Sequence, residues 1–323
     1  MAIPSFSGVP VLVTGGAGFI GAHLAEALAA RGARVRIFDN FATGLRGNLE
    51  RLEGRVELLE GDLRDPEACR RACAGAAYVF HQAALGSVPR SLEDPATSLD
   101  VNVGGTANIL AGAREAGTRR VVYASSSSVY GDSPLLPKKE GEEGAVLSPY
   151  AMSKKMDEQL AEIFGRCYGL ELVGLRYFNV YGPRQRPDGP YAAVIPRFFD
   201  ASFRGEAPLI HGGGGQSRDF TFVEDAVAAN LLAAGAGSEA CGRAFNVAGG
   251  RRASVLELAE LIRGIAGGPP PRFGPPRPGD VLHSLADLSA SESLLGYRPA
   301  VGLEEGLRRT AETFRPAAAA AGR

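Results

Sequence analysis

The 323-residue sequence predicts an α/β fold, a doubly wound parallel sheet followed by a smaller α+β domain. Short β-branched apolar runs alternate with amphipathic segments through the first half of the chain, which is typical of βαβ units. A glycine-rich segment directly follows the first apolar run. After Asn179, proline and glycine become dense, which predicts a loop-rich second half.

The first half of the chain supplies the predicted sheet and its helices. Short apolar runs bounded by turns indicate buried strands, and apolar residues three and four apart indicate helices. The predicted strands cover residues 9–14, 35–38, 56–59, 78–81, 121–124 and 172–175. The predicted helices cover residues 18–31, 66–74, 97–115 and 149–168.

The second half contains helix-like stretches at residues 222–234 and 254–265. A strand-like run at residues 245–247 is short and apolar enough to return to the main sheet. We therefore expect a first domain over residues 1–179, a second domain over 180–316 that closes over a ligand, and an alanine-rich tail over 317–323.

Composition excludes several classes of protein. The 35 basic and 36 acidic residues balance and form no basic tract, so we expect a small molecule or a second copy as partner, and no nucleic acid. The four cysteines have no second pair or histidine cluster beside them, which argues against a metal site and favours reduced thiols in the cytoplasm. No signal-peptide pattern occurs at the start, and no apolar run reaches the about 20 residues that span a bilayer, so no membrane association is expected.

The glycine-rich segment is predicted to bind a dinucleotide. Gly15 makes the tight turn, Gly18 lets the backbone approach a pyrophosphate, and Gly21 lets the helix pack on the strand, as in a Rossmann βαβ unit. The pyrophosphate then meets free N–H groups at a helix N-terminus. Asp39 ends the next strand, where a carboxylate accepts hydrogen bonds from ribose and repels a 2′-phosphate, so NAD is favoured over NADP. Arg46 is the residue that would oppose this preference.

Two further strand ends are predicted to contact the dinucleotide. Asp62, followed by Leu63, suits a hydrogen bond to the adenine amino group, although an aspartate at this position can instead form a turn or cap a helix. The segment Gln82-Ala83-Ala84 is small enough for the ribose and pyrophosphate to pass closely.

Tyr150 and Lys154 are the strongest candidates for chemistry. Their spacing of four places both side chains on one face of a predicted helix. A phenol is a weak base near neutral pH, but a fixed cation beside it favours the phenolate, which can take a proton from a sugar or alcohol hydroxyl. The strand at 121–124 ends in four serines that supply hydroxyl groups nearby.

With these motifs together, the chain resembles the extended short-chain dehydrogenase/reductase superfamily and, more narrowly, its nucleotide-sugar 4-epimerases. The resemblance covers nearly all of residues 9–299. Its further motifs are Asp62-Leu63-Arg64-Asp65, His81-Gln82-Ala83-Ala84, Ser125-Ser126-Ser127-Ser128-Val129-Tyr130-Gly131, Arg176-Tyr177-Phe178-Asn179, Ser217-Arg218-Asp219-Phe220 and Arg277-Pro278-Gly279-Asp280. A 4,6-dehydratase of this superfamily would carry Asp and Glu where this chain has Ser127 and Ser128.

The resemblance implies a role for each matching residue. Tyr150 is the base, Lys154 also holds the nicotinamide ribose, and Ser126 is the catalytic hydroxyl with Ser127 beside it. Phe19, Ile20 and Asn40 join the cofactor contacts, and Phe178 bounds the nicotinamide. The implied nucleotide-sugar contacts are Asn179, Arg218 and Arg277 to the diphosphate, Val194, Leu209 and His211 around the uridine, and Asp280 to its ribose.

The implied reaction is the reversible inversion of C4 of a UDP-sugar. NAD stays bound while Tyr150 takes the proton of the 4-hydroxyl, and hydride leaves C4 and returns to the other face of a rotated 4-keto sugar. The resemblance also implies a homodimer in which the helices 97–115 and 149–168 pair with their symmetry mates.

Two small residues bear on the identity of the sugar. Gly86 and Ser284 match the subgroup of 4-epimerases whose pocket admits an acetamido group, which favours UDP-GlcNAc and UDP-GalNAc, with UDP-Glc and UDP-Gal as further substrates. Gly86 serving a turn and Ser284 capping a helix is the alternative interpretation. The alternative substrate is a UDP-hexuronic acid with Ser87 or Arg90 near its carboxylate, and a non-catalytic NAD-binding scaffold is the alternative from another class.

Overall fold

The computed structural model describes residues 3–188, 192–276 and 282–315. Its strands are β1 Pro10–Thr14, β2 Arg34–Asp39, β3 Glu57–Glu60, β4 Tyr78–His81, β5 Arg120–Ser126, β6 Glu171–Tyr177, β7 Val180–Tyr181, β8 Leu209–His211, β9 Ser217–Asp219, β10 Thr221–Phe222, β11 Arg243–Val247, β12 Arg252–Ser254 and β13 Arg272–Gly274. Its helices are α1 Phe19–Ala30, α2 Pro66–Cys73, α3 Val88–Glu93, α4 Pro95–Leu99, α5 Gly105–Glu115, α6 Pro149–Tyr168, α7 Val194–Phe203, α8 Val223–Gly235, α9 Val255–Ala266, α10 Ser289–Leu295 and α11 Leu303–Ala311.

Seven strands form the central sheet in the order β11-β6-β5-β4-β1-β2-β3, and every neighbouring pair is parallel. The chain runs from β1 outward to β3 and then returns to β4 on the other side of β1. This reversal confirms the doubly wound α/β fold, and ligands of such sheets bind where the strand order reverses. Thr14 and His81 are neighbours at that point, at the carboxyl ends of β1 and β4.

Both faces of the sheet are covered, as alternation along its strands requires. On one face, Val11 and Val13 of β1 pack with Leu24 of α1 and with α8. On the other face, Leu12 packs with α2, α5 and α6. A third apolar cluster, built from β10, α7, α9 and α11, belongs to the second half of the chain.

The second half of the chain contributes directly to the main sheet. β11 adds the seventh strand beside β6, as expected for residues 245–247, and α8 packs on α1, β5 and β6. The rest forms three two-stranded pairings, β7 with β10, β8 with β13 and β9 with β12. The division of the chain at residue 179 stays a prediction, since α8 and β11 lie on the first half of the chain although they follow this boundary.

The predicted helix over residues 97–115 is interrupted in the structure. It consists of α4, a wide turn over Asp100–Gly104 and α5. The wide turn coincides with buried Asn102, whose side chain accepts a hydrogen bond from Leu85 N at 2.8 Å and donates one to Ser153 Oγ at 3.0 Å. Tertiary hydrogen bonds to a single amide therefore change a helix that the apolar pattern predicts as regular.

Further findings concern the membrane proteins and metal-binding proteins that the composition argues against. Within residues 3–188, 192–276 and 282–315, no helix is both long enough and apolar enough to cross a bilayer. The same residues contain no cluster of three His, Cys, Asp or Glu side chains that suits a metal ion. All four cysteines fall in these ranges and are free, and burial raises the pKa of Cys69 and of Cys73 to about 12.

Candidate active site

Helix α6 positions the Tyr-Lys pair. It begins at Pro149, which suits the first helical position, and Ser148 caps it by accepting a hydrogen bond from Ala151 N. The Tyr150 N–H, which the first turn leaves without a partner in the helix, donates to Ser91 Oγ at 3.0 Å. Tyr150 is half-buried and lies one turn before Lys154. The helix predicted over residues 149–168 is confirmed, including its first and last residues.

Lys154 is buried and held from two sides. Its Nζ donates to the Ala124 carbonyl at 3.0 Å and to Asp157 Oδ2 at 3.0 Å. Burial works against the charged ammonium, but attraction to Asp157 and Tyr150 outweighs burial and raises the pKa of Lys154. The lysine is therefore a fixed cation beside the phenol, as its spacing from Tyr150 predicts.

The serine run turns sharply at the end of β5. Ser126 Oγ accepts a hydrogen bond from Ser128 N at 3.1 Å and so caps the short turn over Ser127–Tyr130. Ser125 Oγ instead points away and donates to Glu158 at 2.6 Å. Ser128 Oγ is buried and has no hydrogen-bond partner in the described part of the chain.

A cavity of about 690 Å³ opens at the carboxyl edge of the sheet. It brings together these predicted site residues: Ile20, Gln82, Ala84, Gly86, Ser126, Ser127, Tyr150, Lys154, Phe178, Asn179, Arg218 and Ser284. A second cavity of about 580 Å³ lies at the amino ends of β1 and β2, and none of the predicted residues lines it. We expect the ligand in the first cavity, because ligands of such sheets bind at the carboxyl ends of the strands.

The glycine-rich turn fits a dinucleotide. Gly15 has φ +66°, and a Cβ there would lie 2.7 Å from the Ala83 backbone. A Cβ on Gly21 would lie 2.1 Å from the Gly15 carbonyl oxygen, so α1 can pack against the turn only with glycine at this position. Gly18 precedes α1 as its N-terminal cap residue, and the first N–H groups of α1 face the turn. These donors and this close packing suit a pyrophosphate.

Asp39 and its surroundings suit an unphosphorylated ribose. The Asp39 carboxylate is nearly buried and accepts hydrogen bonds from Ala17 N at 2.9 Å and Phe41 N at 2.8 Å. Arg46, the residue that would oppose a preference for NAD, pairs with Glu60 and lies over the Phe41 ring. Its charge is already neutralised by a carboxylate, so it gives no support to a 2′-phosphate.

The two other predicted strand ends lie beside this region. Asn40 Nδ2 donates to Asp62 at 2.9 Å, and hydrogen bonds from Arg64 hold the pKa of Asp62 well below its usual range. Leu63 is buried against Gly105, so its side chain belongs to the core. Gln82 accepts a hydrogen bond from Tyr177 Oη at 3.0 Å, which fixes its side chain at the end of β4.

Phe178 and Asn179 follow β6 into the cavity. Phe178 is buried against Tyr130. Asn179 has φ +39°, a conformation that asparagine tolerates better than most residues, and its side chain donates to the Asp219 carbonyl at 2.8 Å. A non-glycine residue held in this region beside a cavity is a frequent feature of functional sites.

Gly86 and Ser284 lie on the wall of the cavity. A Cβ on Gly86 would meet no atom within 4 Å, and its φ is not positive, so the alternative of an obligatory glycine turn loses its support. Ser284 Oγ is buried without a partner among the described residues, and Ser284 lies five residues before α10, so it caps no helix there. Open space therefore remains beside Gly86, and Ser284 contributes a buried hydroxyl without a partner to the same cavity.

The remaining predicted substrate residues come from several elements, and of these Arg218 lines the cavity. Ser87 caps α3 by accepting a hydrogen bond from Arg90 N at 3.2 Å. Val194 begins α7, while Leu209 and His211 are the ends of β8, and none of the three lines the cavity. Arg218 extends from β9 and donates to the carbonyls of Ser217 and Leu282. Arg277 and Asp280 lie outside the described residues.

Two site residues are not predicted from the sequence. Asp157 is buried against Lys154, and its position three residues later on the same helix is a signal that the sequence does contain. Lys138 lines the cavity and donates to the Ser133 carbonyl, and burial lowers its pKa. It follows a loop without regular pattern, so no sequence signal places it.

Comparisons with known proteins agree with this geometry. A sequence model of the NAD dependent epimerase/dehydratase family matches residues 11–248. The chain belongs to this family. Membership confirms the resemblance drawn from the motifs and gives NAD as the cofactor.

Similar proteins differ in their sugars. UDP-glucose 4-epimerase of Thermus thermophilus, solved with NAD, is 38% identical, and the match covers 96% of this chain and 100% of that chain with a TM-score of 0.86. UDP-N-acetylglucosamine 4-epimerase of Methanobrevibacter ruminantium, in complex with UDP-N-acetylmuramic acid, is 38% identical, with coverages of 95% and 98% and a TM-score of 0.91. UDP-glucuronate 4-epimerase 2 of Arabidopsis thaliana is 34% identical, with coverages of 94% and 75%.

Proposed function

We propose that the protein is an NAD-dependent UDP-sugar 4-epimerase that interconverts UDP-GlcNAc and UDP-GalNAc. The observation that supports the chemistry most directly is one cavity in which Tyr150, Lys154 and Ser126 lie together with Asn179 and Arg218. A base, a fixed cation and a hydroxyl face the same space as groups suited to a diphosphate.

In the proposed reaction each residue acts through a particular atom. The Tyr150 oxygen takes the proton of the sugar 4-hydroxyl and later returns it, while the Lys154 ammonium stabilises the phenolate. Ser126 Oγ orients the same hydroxyl. Bound NAD supplies a reversible hydride acceptor, so the cycle has no net redox change. Asn179 and Arg218 hold the diphosphate while the sugar turns its other face.

The acetamido assignment rests on space beside Gly86 and Ser284. A Cβ at Gly86 meets nothing within 4 Å, and the Ser284 Oγ, unpartnered among the described residues, is available to accept or donate a hydrogen bond. A buried hydroxyl without a partner is costly, and a polar substituent on the sugar would relieve that cost.

One observation favours a second substrate. Lys138 lines the same cavity, and its ammonium donates to a neutral group, the Ser133 carbonyl. A cation at this wall would suit the carboxylate of UDP-glucuronate. Arg90 and Ser87, the residues first considered for that role, do not line the cavity.

A panel of UDP-sugars decides between these substrates. Purified protein without added cofactor is incubated with UDP-GlcNAc, UDP-Glc and UDP-glucuronate, and C4 inversion is followed by NMR. We expect inversion of UDP-GlcNAc, and assay of the nucleotide released on denaturation should give NAD. Inversion of UDP-glucuronate alone would replace the acetamido assignment, and an inert protein that binds NAD would support a scaffold instead.

We also propose a homodimer formed through α6. Its exposed face carries Met152, Met156 and Ile163, which recur at helical spacing and are 45%, 37% and 48% exposed. A twofold interface buries such a stripe on both copies.

The cytoplasmic location expected from the free thiols stays a prediction.

A further inference from the structure

Asp157 is a buried charge that the proposed chemistry does not use. Its carboxylate is 1% exposed and lies 3.0 Å from the ammonium of Lys154, which is 3% exposed. Burying two charges costs free energy. Removing only one of them usually destabilises the protein further, because the other charge then stays buried without a partner. The pairing therefore calls for a functional explanation.

The carboxylate ends a chain of buried polar groups. Thr14 Oγ1 lies 2.7 Å from His81 Nδ1, and His81 Nε2 lies 3.1 Å from Thr106 Oγ1. Burial raises the pKa of Asp157, while the Lys154 ammonium and the Thr106 hydroxyl, which faces the carboxylate, favour its ionised form. Its Oδ1 makes no hydrogen bond of ordinary geometry with the described residues. The chain thus runs from the end of β1, beside the glycine-rich turn, to the lysine on α6.

The donors along this chain have one consistent direction. Burial, together with the nearby Lys154 charge, lowers the pKa of His81 to about 3, so the ring is neutral and carries one N–H. With the Thr106 hydroxyl turned to the carboxylate, Thr106 accepts from His81 Nε2, and His81 Nδ1 accepts from Thr14. Thr14 in turn accepts from Ala83 N at 3.3 Å. In this direction Asp157 only accepts hydrogen bonds, which agrees with its 3.0 Å contact with the Lys154 ammonium.

We propose that Asp157 is a positioning residue that holds Lys154 as a fixed counter-ion and, through it, sets the pH range in which Tyr150 accepts a proton. The ammonium donates a hydrogen bond to the carboxylate and acts on the phenol through its charge. A shared cation favours the phenolate less than an unshared one. This inference rests on the proposed function only where catalytic rates are measured.

Other charges around the pair are present in every variant. The titratable groups that face it are His81 from β4, Tyr123 from β5, Arg176 from β6, and Tyr150 and Glu158 from α6. Glu158 is already engaged by Arg176 and Ser125. Lys154 also keeps its bond to the Ala124 carbonyl, so we expect it to stay protonated when Asp157 is neutralised.

The test compares Asp157→Asn with Glu162→Gln, a matched control that removes the same charge from the exposed part of α6. Ultraviolet titration follows the appearance of the phenolate, and subtraction of the corresponding Tyr150→Phe background isolates Tyr150. We expect the phenolate to appear about one pH unit lower in Asp157→Asn than in the control, the shift expected for one charge about 10 Å away, two turns along α6. The acidic limb of the pH–rate profile should move by the same amount. If Asp157→Asn does not fold, the same measurements are made on Asp157→Ser.

The two proposals fail in different ways. If no UDP-sugar is inverted, the absorbance titration still decides the role of Asp157. If UDP-sugars are inverted but the phenolate appears at an unchanged or higher pH in Asp157→Asn, the role of Asp157 is overturned and the epimerase proposal stands.

Discussion

At the scale of single residues, the strongest prediction concerns the phenol oxygen of Tyr150. Tyr150→Phe keeps the ring and removes the oxygen, so turnover should fall by about 10²–10⁴-fold, the usual worth of a positioned acid/base group. Because the glycine-rich turn is untouched, the NAD content assayed after denaturation should not change. Tyr168→Phe, an exposed tyrosine at the end of the same helix, is the matched control. Near-normal turnover by Tyr150→Phe would assign the base to another group.

The position of Ser284 on the cavity wall leads to a prediction about substrate selectivity. Ser284→Tyr adds a ring to the cavity wall, and overpacking of this kind costs about 1–3 kcal/mol, or roughly 5- to 150-fold. Turnover of UDP-GlcNAc should fall while turnover of UDP-Glc survives, as measured by kcat/KM for both. Ser284→Ala keeps the space and removes the hydroxyl, so any loss that it causes measures the hydrogen bond separately from the size of the wall. Equal losses on both substrates would remove Ser284 from the acetamido wall.

Sequence predicts residues with local motifs better than residues that only the fold brings close. The turn at Gly15, Asp39 at a strand end, and Tyr150 with Lys154 all stand in short patterns with a physical meaning. Lys138 follows an irregular loop and reaches the cavity only because its backbone pairs beside Ala286, far along the chain. No pattern in one sequence gives such a contact.

At the scale of elements, the apolar runs predict most strand ends to within about one or two residues, because fully buried parallel strands read as continuous apolar runs. The helices α3 and α7 are not predicted. α3 spans six residues, too few for a period of 3.6 to stand out, and α7 follows a segment dense in proline and glycine that favours loops. The interruption between α4 and α5 depends on the hydrogen bonds of Asn102, which the sequence does not display.

The exposed stripe of α6 predicts a specific assembly defect. Replacing Met156 and Ile163 together with Glu places two charges in the proposed twofold interface, so the assembly should dissociate. Light scattering should then give the 33.7 kDa of one chain, against twice that mass for the unmodified protein. Leu58→Glu, an exposed apolar residue on the edge strand β3, should leave the mass unchanged. A monomer with the unmodified sequence would refute the interface.

At the scale of the whole molecule, buried His81 links stability to pH. Its pKa is about 3 in the folded chain, below the 6.5 of an unperturbed histidine. Between these values the unfolded state binds the extra proton, so stability is fully present above pH 6.5 and falls on acidification, by up to about 1.4 kcal/mol per pH unit.

Denaturation midpoints at pH 7 and pH 5 measure this linkage. His81→Gln should be less stable at pH 7 but should lose less on going to pH 5 than the unmodified protein does. His283→Gln, which replaces an exposed histidine, should keep the original pH dependence. A pH dependence unaltered by His81→Gln would mean that the pKa of the ring is the same in the folded and the unfolded chain.

The position of β11 has a consequence for synthesis. While the ribosome adds the residues from Tyr177 to Val247, β6 is an open edge, and the apolar face later covered by α8 stays bare. At about 5–20 residues per second, this interval lasts roughly 4–14 s. A nascent chain in this state offers unpaired backbone to other chains, so we expect a fragment that stops before α8 to appear in the insoluble fraction, whereas one that extends through β11 should resist co-aggregation during translation.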